Sequence, residues 1–225
     1  MKSILVCFGL CIGAAAAFSQ DLQARFVEVS GRVEIREAGS SGWKTAAPGL
    51  SVGGNTVIAT GFRSSAVISL GSSRLGVRPL TMLTLEELTQ RGGTEETSLY
   101  LRTGRVRATV DRPAGLAVDF KVRSPTVTAS VRGTSFEFDG INLRVENGLV
   151  LLASPKGQKV YAAEGQRSRV DKSNQNRIVP PFELETALLQ PLIPEPADAV
   201  IGAALPGISP DPGSDPGTRI YIGWP

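Results

Sequence analysis

The stretch Ser124-Pro-Thr-Val-Thr-Ala-Ser-Val-Arg-Gly-Thr-Ser-Phe-Glu-Phe138 constrains this chain more than any other. Val127, Ala129 and Val131 fall on one face and Thr126, Thr128 and Ser130 on the other. After Gly133 the alternation resumes, with Thr134, Phe136 and Phe138 opposite Ser135, Glu137 and Asp139. A period of two describes a half-buried sheet and rules out a helix. The stretch also holds few groups able to do chemistry, which points to an all-β binding or scaffold protein.

The same texture runs from Phe26 to about Val170. The β-prone runs are Phe26–Arg36, Asn55–Ala59, Ser65–Leu70, Arg74–Val77, Thr81–Leu85, Thr97–Leu101, Arg105–Val110, Leu116–Val122, Thr126–Val131, Thr134–Phe138, Ile141–Glu146, Leu149–Ala153 and Gln158–Ala162. Gly, Pro, Ser or Asn separates them at intervals of roughly 8–12 residues, as in a sandwich, barrel or solenoid. Gly31-Arg-Val-Glu-Ile, Gly104-Arg-Val-Arg-Ala and Gly148-Leu-Val-Leu-Leu form a faint internal repeat with unequal spacing. Stacked hairpins and irregular coils both satisfy it. Pro180-Pro181 then ends the sheet, 180–190 reads as a short helix, and 191–225 as a flexible Pro/Gly-rich tail with an apolar end at Ile220, Ile222 and Trp224.

At the front, Lys2 precedes an apolar run from Ile4 to Phe18 and then Ser19-Gln-Asp21, the pattern of a signal peptide over 1–19. The run is shorter than the roughly 20 residues of a spanning helix. Cleavage near Ser19 would send the protein to the periplasm or outside the cell. Both cysteines, Cys7 and Cys11, leave with the leader, so stability would rest on the core rather than on disulfides. Leu10 before Cys11 disfavours lipid attachment, and membrane association would require a retained or lipidated leader. The formal charge of +3 is spread without a Lys/Arg block, so nucleic acid is not expected. Histidine is absent, which removes the commonest general base and metal ligand; no enzyme, cofactor or metal site is expected.

Several motifs resemble chemistry without its context. Gly49-Leu-Ser-Val-Gly53 fits a nucleophile elbow, but no helix follows and no histidine could activate Ser51. Ser41-Gly-Trp-Lys44 fits S-x-x-K without its partner motifs. Glu137 and Asp139 share a strand face about 7 Å apart, within reach of the ~5 to ~9.5 Å separations of glycoside hydrolysis; a polysaccharide-active or polysaccharide-binding protein is therefore an alternative. Asp211 and Asp215 lack a calcium-loop pattern. The candidate binding face is a basic ladder of Arg105, Arg107, Lys121 and Arg123, with Arg102, Arg132 and Arg144 nearby in sequence. Arginine forks suit an envelope protein or an anionic glycan; a solvated outer face accounts for the same residues. Trp43 reads as a lid on the core. In Arg132-Gly133-Thr134, Gly133 is expected to reverse the chain, Thr134 to bond nearby backbone, and Arg132 to pair with Glu137 or Asp119.

Taken in order, Val29–Ile35, Trp43, Pro48–Gly61, Ser65–Ser72, Leu75–Leu83, Leu99–Val106, Phe120–Thr126 and finally Val131-Arg-Gly-Thr-Ser-Phe136 resemble the FecR-domain family. Asn55 and Ser124 are mild departures. The resemblance implies a stand-alone extracytoplasmic domain over 26–179, of β-solenoid type, with Arg132, Gly133 and Thr134 as a fold-marking turn. Signalling members of the family carry cytoplasmic, membrane-spanning and receptor-contacting segments not seen in this sequence. The expectation is thus an exported, non-catalytic binding or scaffold module of the cell envelope, with a part in envelope signalling as an alternative.

Overall fold

The computed structural model describes residues 20–189; the expected leader and the tail at 191–225 lie outside them. The first strands are β1 (Gln20–Asp21), β2 (Ala24–Ser30), β3 (Val33–Arg36), β4 (Lys44–Thr45), β5 (Ser51–Val52), β6 (Thr56–Thr60), β7 (Ser65–Leu70) and β8 (Ser73–Val77). Then come β9 (Met82–Arg91), β10 (Thr94–Thr103), β11 (Val106–Val110), β12 (Ala117–Arg123), β13 (Thr128–Val131) and β14 (Ser135–Phe138). The last are β15 (Asn142–Asn147), β16 (Leu149–Ala153), β17 (Lys159–Ala163), β18 (Arg167–Asp171) and β19 (Arg177–Val179), followed by helix α1 (Pro181–Leu189).

These strands make two large open sheets. Sheet I has the order β17-β16-β13-β12-β10-β9-β6-β3-β4, with β1 beside β9; sheet II has the order β19-β18-β15-β14-β11-β8-β7-β2-β5. Strands join each sheet in nearly chain order while the chain passes repeatedly from one sheet to the other. Neighbours are antiparallel except β10 and β12, which run parallel. What is established is this all-β, two-sheet architecture; the coil-by-coil solenoid implied by the family resemblance is a finer statement that antiparallel neighbours do not by themselves make.

The alternation seen in the sequence places the core. Val127, Ala129, Val131, Thr134, Phe136 and Phe138 are buried, and the intervening residues from Thr128 to Glu137 are half-buried or exposed. Phe120 of β12 meets Phe136 of β14 edge to face at 6.5 Å, so the inner faces of the two sheets pack together there. Burying each such ring contributes about 1.5–3 kcal/mol relative to leaving it in water.

Glycine and hydroxyl side chains build the passages between sheets. Gly31, Gly104 and Gly148, the starts of the faint repeat, all have positive φ, and each lies where the chain changes sheet. An added Cβ would come within 2.5 Å of Ser64 Oγ at Gly31, within 2.4 Å of Thr81 Cα at Gly104, and within 2.9 Å of the Gly133 carbonyl at Gly148. Hydroxyls and backbone meet at each of these corners. Arg32 N–H donates to Ser64 Oγ (2.8 Å), Arg105 N–H donates to Thr81 Oγ1 (3.0 Å), and Thr134 Oγ1 donates to the Leu149 carbonyl (3.0 Å). The repeat is therefore a corner device that satisfies backbone where two sheets meet, as buried polar groups require.

Three features differ from the expectations. The run Phe26–Arg36 is two strands in different sheets, because the turn at Gly31 sends the chain across the core. The β9–β10 hairpin extends to Gly92 and Gly93, both at positive φ, beyond the apolar residues that delimit the shorter expected runs. Finally, β18 and β19 lie past the last expected run. Their end of the sandwich is tied by Gln158, whose side-chain amide exchanges two 2.8 Å hydrogen bonds with the backbone of Ile178. The short helix is present as α1, with Pro181 at its first position, where proline lacks only a hydrogen bond that would be missing anyway.

Candidate functional site

The outer face of sheet II carries a row of charges at paired positions. Arg107 of β11 pairs in register with Glu137 of β14, Glu137 with Arg144 of β15, and Arg144 with Arg167 of β18. One rung along, Asn142 lies opposite Arg169. The pleat turns each of these side chains outward, because Val106, Phe138, Leu143, Ser168 and Val170 take the inward positions.

Most cations of the row have a carboxylate nearby. Arg107 reaches Glu146 at 2.5 Å, and Arg105 lies 3.9 Å from Glu137 and 3.6 Å from Asp139. Glu137 also faces Arg78 at 3.9 Å. Arg169 acts electrostatically on Asp171. Arg144 and Arg167 enter no ion pair among the described residues, although they stand directly opposite each other. Like charges at directly opposed positions destabilise a sheet, so this sequence retains a local cost on its exposed face.

The row floors a groove of about 790 Å³, lined by Arg105, Arg144, Arg167 and Arg169 and walled on one side by Pro181, Leu184 and Glu185 of α1. The wall is held down locally: the Arg177 guanidinium contacts both oxygens of Glu183 at 2.6 and 2.7 Å, and the Pro180 carbonyl accepts the Glu183 N–H. Arg105, Glu137 and Asp139 continue into a second depression bordered by Pro79 and Leu80.

The carboxylate pair Glu137 and Asp139 lies in this groove, but Asp139 is engaged in its own turn. Its Oδ1 accepts N–H groups from Ile141 (3.0 Å) and Asn142 (2.7 Å), and the Asn142 side-chain amide reaches its other oxygen at 3.0 Å. Burial opposes ionisation of Asp139, yet these hydrogen bonds and the Arg105 guanidinium outweigh it and hold the carboxyl below the usual aspartate range. That is the opposite of the raised value a glycosidase acid needs.

The other expected residues are placed as follows. Arg105 and Arg107 lie on the outside of sheet II, whereas Lys121 and Arg123 lie on the outside of sheet I, so the expected ladder is two separate faces. On sheet I both ladder bases have an acid: Lys121 with Asp119 at 2.7 Å, Arg123 with Glu86 at 3.1 Å. Gly133 carries the chain from sheet I to sheet II rather than reversing it within one sheet. Thr134 bonds Leu149, fifteen positions on, rather than nearby backbone. Arg132 is exposed and pairs with neither Glu137 nor Asp119, whose partners are other cations. Ser51 sits in the short edge strand β5 with β6 following, and Trp43 is exposed beneath the Arg36 guanidinium at 5.0 Å rather than covering the core. Cys7, Cys11, Asp211 and Asp215 lie outside the described residues.

Arg167 and Arg169 fall outside the sequence expectations because the last expected run ends at Ala162. A signal for them exists: Arg167-Ser-Arg-Val-Asp171 alternates outward and inward like the other strands. Only the pairing of β15 with β18 shows that Arg167 faces Arg144.

Residues 56–151 match the protein family described as FecR protein, so the resemblance carried by the motif series is shown over that segment. The motifs before Thr56 lie ahead of the matched region. No curated protein matches the sequence. Two crystal structures of a candidate anti-sigma factor from Parabacteroides distasonis ATCC 8503 are similar at 17% identity over 59% of this chain, with TM-scores of 0.46 and 0.45. The aligned parts span 64% and 63% of those chains, less than two thirds of their length.

Proposed function

We propose that this chain, which carries a FecR domain at residues 56–151, is an exported, non-catalytic binding module of an envelope regulatory assembly. Its groove on sheet II receives an acidic segment of a protein partner. The observation that carries this reading is the opposed pair Arg144 and Arg167, exposed, without a carboxylate at ion-pair distance, beside Arg105 and Arg169. Guanidinium groups give forked donors to carboxylates, and a row spaced by strand pairing suits side chains spaced along a peptide. A protein partner fits the regulatory character of the family better than a glycan does. Export rests on the leader-like pattern over 1–19.

The test uses a fluorescent Asp/Glu-rich peptide as probe, alongside affinity capture from the native envelope. The Arg144→Glu/Arg167→Glu double variant should bind the peptide at least tenfold more weakly, about 1.4 kcal/mol, and lose the captured protein while remaining folded. Equal binding by wild type and variant would remove the groove from the function. Competition by a sulfated glycan but not by the peptide would replace the protein partner with a polysaccharide, and reproducible turnover of any substrate would overturn the non-catalytic reading.

A further inference from the structure

Away from the groove, at the far end of the β7–β8 hairpin, Glu95 of β10 is buried to 2% exposure, yet enters no ion pair among the described residues. Its two oxygens share one donor, the Ser72 N–H, at 3.1 and 3.0 Å. Gly71, at φ +55, makes room for it: an added Cβ would lie 2.4–2.6 Å from the carboxylate atoms. A buried carboxylate with a single neutral donor is costly; buried charges are ordinarily paired or ligated.

A second observation falls in the same place. The buried side-chain oxygens without a hydrogen-bond partner among the described residues are Ser72 Oγ, Ser73 Oγ and Thr97 Oγ1. Ser72 is the residue bonded to Glu95. Thr97 is two positions further along the inward face of β10, and Ser73 opens β8 on its inward face; each is 2% exposed. One carboxylate and three hydroxyls with unused lone pairs thus lie out of solvent, Ser72 and Ser73 at the end of the hairpin and Glu95 and Thr97 on the stretch of β10 that Ser72 contacts. All are hard oxygen donors. A single carboxylate is neutralised by one positive charge, whereas a divalent ion would leave a net charge buried.

We infer that Glu95, Ser72, Ser73 and Thr97 form a structural site for a monovalent cation, sodium, which clamps the β7–β8 turn of sheet II onto β10 of sheet I. The site is independent of the arginine groove. Its test is thermal unfolding of the purified protein in sodium chloride and in choline chloride at equal ionic strength, so that general screening cancels. Sodium should raise the midpoint by about 3 °C; the rise should be absent in Glu95→Gln and smaller in Thr97→Val. Sodium NMR line broadening that weakens in Thr97→Val provides a second readout should Glu95→Gln fail to fold. Equal midpoints in the two salts would overturn the proposal, as would a sodium effect undiminished in the variants or an effect confined to calcium.

Discussion

On the outside of sheet I, Lys121 reaches Asp119 and Arg123 reaches Glu86, so those two bases are balanced by short-range pairs. On the outside of sheet II, Arg144 faces Arg167 with no acid between them, beside a helix wall. Both faces are built by the same alternation over the same core, and both are rich in basic residues. The difference shows that basic content alone does not mark a binding surface; what sets sheet II apart is that its register places two cations directly opposite each other. Exposed pairs such as those on sheet I contribute little to stability. An opposed pair like that on sheet II is mildly unfavourable in the free protein and becomes favourable when an anion lies between its members.

The contrast between the two faces depends first on the corner that positions Arg105. Gly104→Ala should cost about 3 kcal/mol, because the added Cβ meets Thr81 at a positive φ that alanine resists. Gly93→Ala, at the open tip of the sheet I hairpin with nothing within 4 Å, should cost about 1 kcal/mol. Urea unfolding of the two variants measures both, and equal losses would mean that the corner is not a tight joint.

A middle effect is expected at Asp139, which closes the turn beneath the groove. Asp139→Ala should cost about 1–2 kcal/mol by leaving the Ile141 and Asn142 N–H groups without their acceptor. The sign of its pH dependence follows from the lowered folded value: the ionised carboxylate's contribution is full above the unfolded-chain range and is lost as pH falls through the folded one. Stability curves of wild type and variant should therefore converge in strong acid and separate as pH rises; a constant gap would refute the charge-based part of the argument.

The smallest change separates the two faces by sign. Arg123→Gln on sheet I should lower stability by about 0.3 kcal/mol through a lost ion pair, whereas Arg167→Gln on sheet II should raise it by a similar amount, about 0.3 kcal/mol, by relieving the opposed charge. High salt should shrink both changes. The same sign in both variants would erase the distinction.

Much of the fold is legible in the amino-acid order. Period-two alternation places Val131, Phe136 and Phe138 in the core, and the ordered motif series up to Phe136 points to the FecR domain matched at residues 56–151. The recurrent glycines mark real corners, although their partners Ser64, Thr81 and Thr134 are distant in sequence, and nothing local pairs them. The groove is far less legible. Arg105 and Arg107 share a two-residue spacing with Lys121 and Arg123, but the two pairs belong to opposite sheets. Glu95 gives no signal either, because its hydrogen-bond donor, the Ser72 N–H, comes from the β7–β8 hairpin far back in the chain.

Which residues turn inward is already written in the chain, since alternation along a strand is a local property of the extended backbone. So is the lack of any thiol or imidazole in the described strands. Which outward charges meet is a different kind of fact, and it belongs to the assembled sheets. Cross-strand neighbours are chosen by sheet order and register, and those are set by where the chain crosses between layers, Gly31, Gly104, Gly133 and Gly148 among the crossing points; the excursion from β10 through β11 to β12 leaves the single parallel pair.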